Sequence, residues 1–253
     1  MKHTIALFVV LLLVKNANAQ KNKTAYAPLV VKEKSITLPG KQLDINTDGF
    51  PAMIQTSFNL VTEPIHFHVI NAMNHKDIKW KNGAFNYTSQ KPEIVSWSVK
   101  NTSDSLSMDV DGQIKADGKL AYTVKITALH DINLDNIRMH IPFTKEAAKF
   151  VKGLGQKEEL RPEVIDWKWS TDKAAEAKVW VGDVTGGLQF ELTDNQRKKI
   201  PASWANDGHG GIHIEQKGKA ILADNYSAEH HLKKGDVLYY NFSLLITPDT
   251  KSK

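Results

Sequence analysis

The sequence contains no cysteine, which excludes disulfides, thiol nucleophiles and thiolate metal sites. Nor does any apolar run approach the ~20 residues that a membrane-spanning helix needs; the most apolar stretch, Ile5 to Val14, is much shorter. Phosphate-cradling glycine motifs are missing, both Gly-x-Gly-x-x-Gly and the phosphate-binding loop. So is the Gly-x-Ser-x-Gly elbow of serine hydrolases. There is no basic helix and no aromatic-basic repeat, and the formal charge of +5 is too mild to call for nucleic acid.

The short apolar run has a different reading. Met1-Lys2-His3 precedes it and Ala17-Asn18-Ala19 follows it, the pattern of a secretory signal peptide cleaved after Ala19. The expectation is a secreted or periplasmic protein with no membrane span. Removing residues 1–19 takes away Lys2 and Lys15, so the formal charge falls by two. What remains is long enough to bury roughly 70% of its unfolded surface, so a core alone can stabilise it. Residues 20–29 are polar and aperiodic and read as a flexible lead. Residues 30–249 read as one domain, and 250–253 as a tail.

Within that domain the dominant signal is alternation. Tyr122-x-Val124-x-Ile126-x-Ala128 is the clearest case, and Ser35 to Leu38, Gln42 to Ile45, Ala52 to Phe58, Ile65 to Ile70, Ile94 to Val99, Leu106 to Val110, Ile132 to Ile141, Gly211 to Glu215, Ala220 to Ala223 and Val237 to Thr247 follow the same rule. Pro39-Gly40, Asp111-Gly112 and Asp117-Gly118 read as the turns between them. Only Lys145 to Lys152, stopped by Gly153, reads as a helix. The fold class is therefore all-β, a large antiparallel β-sandwich with one short helix.

Four of the six tryptophans, Trp167, Trp169, Trp180 and Trp204, fall between Arg161 and Gly211. Aromatic faces stack on sugar rings, and they also anchor cores. Asn206 adds an amide beside Trp204, and His209 stands among Gly208, Gly210 and Gly211. These residues, with Asp183, are the candidates for contact with a sugar or a partner protein. Asp166 and Asp183 are the carboxylates that could pair as a glycosidase acid and base, although Asp183 opens a Thr185-Gly186-Gly187 turn. His66 and His68 share a strand face, but no third metal ligand follows at a useful spacing. Asp44-x-Asn46-x-Asp48-Gly49 copies the start of a calcium loop, yet Gln55 stands where the closing carboxylate belongs, so a hairpin turn is the stronger reading. No metal, cofactor or catalytic residue is assigned.

Leu154-Gly155, Arg161-Pro162, Trp167-Lys168-Trp169, Trp180-Val181-Gly182-Asp183 with Gly187-Leu188, Pro201-x-Ser203-Trp204-x-Asn206-x-Gly208-x-Gly210-Gly211-Ile212 and the closing Leu244 to Pro248 occur in a recognisable order. Together they resemble the N-terminal β-sandwich of glycoside hydrolase family 123. The resemblance implies a domain that precedes a (β/α)-barrel, and the barrel carries the adjacent Asp-Glu pair for cleavage of N-acetylgalactosaminides. Here Thr247 to Lys253 stands where that barrel would begin, so the resemblance implies an accessory sandwich that binds glycan or packs against a barrel. The alternatives are a carbohydrate-active enzyme using sandwich carboxylates and a purely structural scaffold.

Overall fold

A computed structural model describes residues 26–170, 178–196 and 200–248. The leader, the start of the lead and the C-terminal tail lie outside the described residues. Within the lead, Leu29 is buried and its amide donates to the Pro92 carbonyl at 2.7 Å.

Among the described residues the strands form three antiparallel sheets. A small meander runs Val30–Lys32, Ser35–Leu38, Lys41–Ile45, Pro51–Gln55. The large sheet follows the path Gln156–Leu160, Phe150–Gly153, Lys178–Asp183, Gly186–Thr193, Asn241–Thr247, Lys119–Ala128, Leu106–Lys115, Ile94–Thr102, Lys81–Asn82. Val237–Tyr239 also pairs with Lys119–Ala128, and Asn86–Lys91 with Ile94–Thr102. The third sheet runs Val164–Lys168, Gly211–Lys217, Ala220–Tyr226, Ile132–Phe143, His66–Asn71, Lys76–Asp77, with His230–Leu232 added to Ile132–Phe143.

The two larger sheets are joined through their apolar faces. Alternation sends Leu120, Tyr122, Val124, Ile126 and Ala128 inward from one strand, and Ile137, Met139 and Ile141 inward from another. Aromatic rings tie the layers together. Phe67 of the third sheet stacks on Phe50 at 5.1 Å and meets Phe242 at 6.2 Å, while Phe242 stacks on Tyr122 at 4.6 Å. Each such pair adds about 0.5–1.5 kcal/mol to the burial of its area. Because side chains alternate with period two, every inward choice also fixes an outward one. Phe67 inside means His66 and His68 outside.

Three local expectations change. Lys145 to Lys152 is not a helix: Thr144 Oγ1 accepts the Ala147 amide at 3.1 Å, closing a turn, and Phe150–Gly153 is a strand paired with Lys178–Asp183. The segment is too short to be helical without tertiary support, and the open sheet edge takes its hydrogen bonds instead. The short helix is Ala202–Ala205. Asp111-Gly112 is not a turn but lies inside Leu106–Lys115, where a Cβ on residue 112 would come 2.3 Å from Trp97 Cε2. Glycine there makes room for the indole. Finally, Val237 to Thr247 is broken at Tyr240, where Asn241 Oδ1 accepts the Val124 amide at 3.1 Å.

Candidate functional site

The sequence candidates separate into three groups. Trp204 is fully buried and its indole N–H donates to the Asn241 carbonyl at 2.9 Å. Trp167 and Trp169 are also buried, packed edge to face at 4.9 Å. Their ring faces are occupied by protein, so these three are core residues and not a sugar-stacking surface. Asn206 is the second group. It takes φ 42° at the end of the short helix, and its amide donates to the carbonyls of Ser227 at 2.6 Å and Glu229 at 3.0 Å. Those bonds use both amide hydrogens to pin the loop. His209 is exposed beside it, its amide donating to the Asn206 carbonyl at 2.9 Å. The close glycines serve packing: a Cβ at Gly210 would sit 1.9 Å from the Trp204 carbonyl oxygen.

Trp180 and Asp183 form the third group, and the structure brings them together. On Lys178–Asp183, Val179 and Val181 point inward, so Trp180 lies on the outer face of the large sheet. Its neighbours there are glycines. A Cβ at Gly182 would come 2.2 Å from Trp180 Cζ2, and one at Gly187 3.1 Å from its Cε2. The indole therefore lies flat on bare backbone, and its N–H donates to Thr247 Oγ1 at 2.9 Å. It lines a cleft of about 550 Å³ with Phe150, Asp183, Thr185, Gln189 and Pro248.

Asp183 is locked at one end of this cleft. Its Oδ1 accepts from both the amide and the hydroxyl of Thr185 at 2.7 Å, and its Oδ2 accepts from Lys149 Nζ at 3.1 Å. The Thr185 hydroxyl and amide, with the Lys149 ammonium, hold the carboxyl ionised and pull its pKa down to about 2. A group held so far below neutrality cannot deliver a proton to a leaving group. Asp166 stands on the third sheet, 3.5 Å from His213, so it is not the partner of Asp183.

Sequence reasoning missed a second polar surface. Outward positions of the third sheet place His66, His140, Asp224, His213 and Asp166 side by side on five consecutive strands. Beside this row, Arg138 Nη1 donates to Asp224 Oδ2 at 2.7 Å, and the His68 ring lies 4.3 Å from that of His140. Asp48, 3.5 Å from His66, raises that imidazole's pKa against the opposing effect of burial. The apparent calcium loop is accordingly a hairpin turn, in which Asp48 Oδ1 accepts the Phe50 amide at 3.1 Å. Among the described residues no group of three or more histidines and carboxylates is arranged to hold a metal ion.

The architecture is a large antiparallel β-sandwich, and its family match makes it a carbohydrate-related domain. Residues 29–248 match the family described as glycoside hydrolase 123, third domain, and the chain belongs to that family. Among solved structures, a candidate aldose 1-epimerase from Escherichia coli K12 is similar with a TM-score of 0.53 at 8% identity, covering 84% of this chain and 98% of that one. A galactose mutarotase related enzyme from Lactobacillus acidophilus gives 0.49 at 7% identity, covering 85% and 97%. Heparan sulfate lyase HepC from Pedobacter heparinus gives 0.48 at 9% identity, covering 87% of this chain and 34% of the lyase. At such identities the likeness is one of fold. No curated protein matches the sequence.

Proposed function

We propose that this chain is an exported accessory β-sandwich of an N-acetylgalactosaminidase-like family 123 glycoside hydrolase, and that it binds glycan at the Trp180 cleft. One observation carries the reading: Trp180 lies flat over Gly182 and Gly187, presenting an aromatic surface on a sheet with Thr185, Gln189 and Thr247 around it. A flat ring bordered by hydroxyls and an amide suits a pyranose, whose C–H face stacks while its hydroxyls hydrogen-bond at the margin. The ion-paired Asp183 is held ionised and so is not the proton donor that glycoside hydrolysis needs, and Asp166 on the other sheet is not its partner.

A second reading, docking of the same end of the sandwich against a catalytic barrel, is favoured by Val184. This side chain is 86% exposed at the hairpin tip that borders the cleft. Affinity electrophoresis through gels containing polysaccharide separates the two. Glycan binding predicts that wild type is retarded, Trp180→Ala is not, and Val184→Ser behaves as wild type. Retardation that survives Trp180→Ala removes the cleft from the account.

A further inference from the structure

The stretch from Lys76 to Lys81 joins the edges of the two larger sheets: Lys76–Asp77 pairs with His66–Asn71, and Lys81–Asn82 pairs with Ile94–Thr102. Along it, Ile78 and Trp80 pack against the core. Alternation therefore turns Lys79 and Lys81 outward, and Lys76 is exposed as well. The three lysines border a cleft of about 610 Å³, within the size range of small-ligand sites. Thr102 to Ser105 line it too, brought there by the pairing of Lys81 with Thr102.

Side-chain donors and acceptors at this cleft are out of balance. The acceptors are spent within the protein. Asp77 Oδ2 is bonded to His68 Nδ1 at 2.7 Å, and its Oδ1 accepts the Val69 amide at 2.9 Å. Asn71 Oδ1 accepts the Met73 amide at 2.8 Å, and Asn74 Oδ1 accepts the Lys76 amide at 3.0 Å. Ser103 Oγ accepts the Leu106 amide at 3.0 Å. The donors are left over. Among the described residues Lys76, Lys79 and Lys81 form no ion pair and no side-chain hydrogen bond, and the side-chain nitrogens of Asn71 and Asn74 have no partner. Lys79 acts on Asp77 only at longer range. Against these three ammonium groups, Asp104 is the one carboxylate of the cleft that is not engaged.

This imbalance selects the ligand class. Like charges gathered around one cleft repel, and an anion relieves the repulsion that a cation would increase. A sulfate ester or a carboxylate brings both negative charge and several acceptor oxygens for the lysines and the two amides. The hydroxyls of Thr102 and Ser105 stand beside them to meet the hydroxyls of a sugar. Among the described residues no aromatic ring lines the cleft, so it offers no stacking platform for a nucleobase.

We infer that this cleft is a binding site for acidic oligosaccharides, in which Lys76, Lys79 and Lys81 hold sulfate or carboxylate groups. It lies towards the other end of the large sheet from the strand that carries Trp180. It stands or falls separately from the Trp180 cleft.

The test titrates three chondroitin tetrasaccharides into full-length wild type and Trp180→Ala, the second of which removes any contribution from the Trp180 cleft. One sugar is sulfated, one is desulfated, and one is desulfated with its carboxyl groups reduced. Calorimetry gives Kd for each. In Trp180→Ala the site predicts retained binding, tightest for the sulfated sugar, weaker for the desulfated one and absent for the reduced one. On that background Lys79→Gln and Lys81→Gln each weaken binding about two- to fivefold, as for exposed charge pairs. Replacing Lys76, Lys79 and Lys81 together by Gln weakens it by more than about tenfold. A matched triple replacement at Lys115, Lys119 and Lys145, outside the cleft, leaves Kd unchanged. All six lysines are exposed, so neither triple disturbs the core. The inference is overturned if the two triples lose affinity alike, if Trp180→Ala no longer binds the sulfated sugar, or if the reduced sugar binds as tightly. Displacement of the sugar by an equal concentration of inorganic sulfate or of a single-stranded oligonucleotide overturns it as well.

Discussion

The rings of Trp204 and Tyr240 meet edge to face, 4.8 Å between centroids, with both side chains fully buried. Phe67 closes on both, at 6.0 and 6.2 Å, so Trp204 is a joint between the sheets. Its truncation removes a large apolar volume and strands the Asn241 carbonyl that its indole satisfies. Trp204→Ala is expected to cost about 3–5 kcal/mol, read as a lower urea midpoint at unchanged m-value. A loss below about 1 kcal/mol would mean that the ring is not packed as described.

His230 makes folding stability depend on pH. Its Nε2 lies 2.8 Å from Ser227 Oγ and 2.9 Å from the Tyr240 hydroxyl, and these two oxygens are 2.9 Å apart. Burial, reinforced by neighbouring His231, pushes the imidazole pKa down to about 4. The unfolded chain, with an ordinary histidine value, binds the proton more readily than the folded one. The contribution of neutral His230 is thus fully present above about pH 6.5 and lost as pH falls towards 4, by up to roughly 3 kcal/mol. His66 acts in the opposite sense, because Asp48 raises its pKa and its contribution is lost as pH rises. Comparing wild type with His230→Gln isolates the histidine: the stability difference between the two should change across pH 4–6.5. A constant difference would contradict the burial argument.

Gly112 is a packing glycine. Adding a methyl group brings Cβ to 2.3 Å from the Trp97 indole, whose N–H donates to the Gly49 carbonyl at 2.8 Å. Gly112→Ala should destabilise by at least about 1–3 kcal/mol and shift the Trp97 indole proton resonance. An unchanged indole signal would show that the sheet absorbs the methyl group elsewhere.

Much of the sandwich was legible because alternation is a direct imprint of one buried face. Tyr122 to Ala128 could be read from spacing alone, and its inward set is the one observed. The tryptophans were less legible, since composition does not say which side of a strand faces solvent. A local discriminator was present all the same. Trp167 is followed two positions on by another tryptophan and is core, whereas Trp180 is followed by Gly182, which lets an outward indole lie down on the sheet. Asp111-Gly112 misled for a related reason, because the glycine that suits a turn also suits a ring pressed against a strand. The His140–Asp224 face could not be assembled from sequence. Its members come from strands far apart in the chain, and only their register makes them neighbours.

The account rests most directly on binding without hydrolysis at the Trp180 cleft. The decisive measurement combines calorimetric titration of N-acetylgalactosamine-containing glycans with an assay for released sugar, using purified wild type, Trp180→Ala and Asp183→Asn. The account predicts binding by wild type, binding weakened about five- to twelvefold in Trp180→Ala at unchanged melting temperature, as for loss of a stacking contact of about 1–1.5 kcal/mol, and no sugar released by any of the three. Release of sugar by wild type that Asp183→Asn abolishes would contradict it and make the chain an enzyme in its own right.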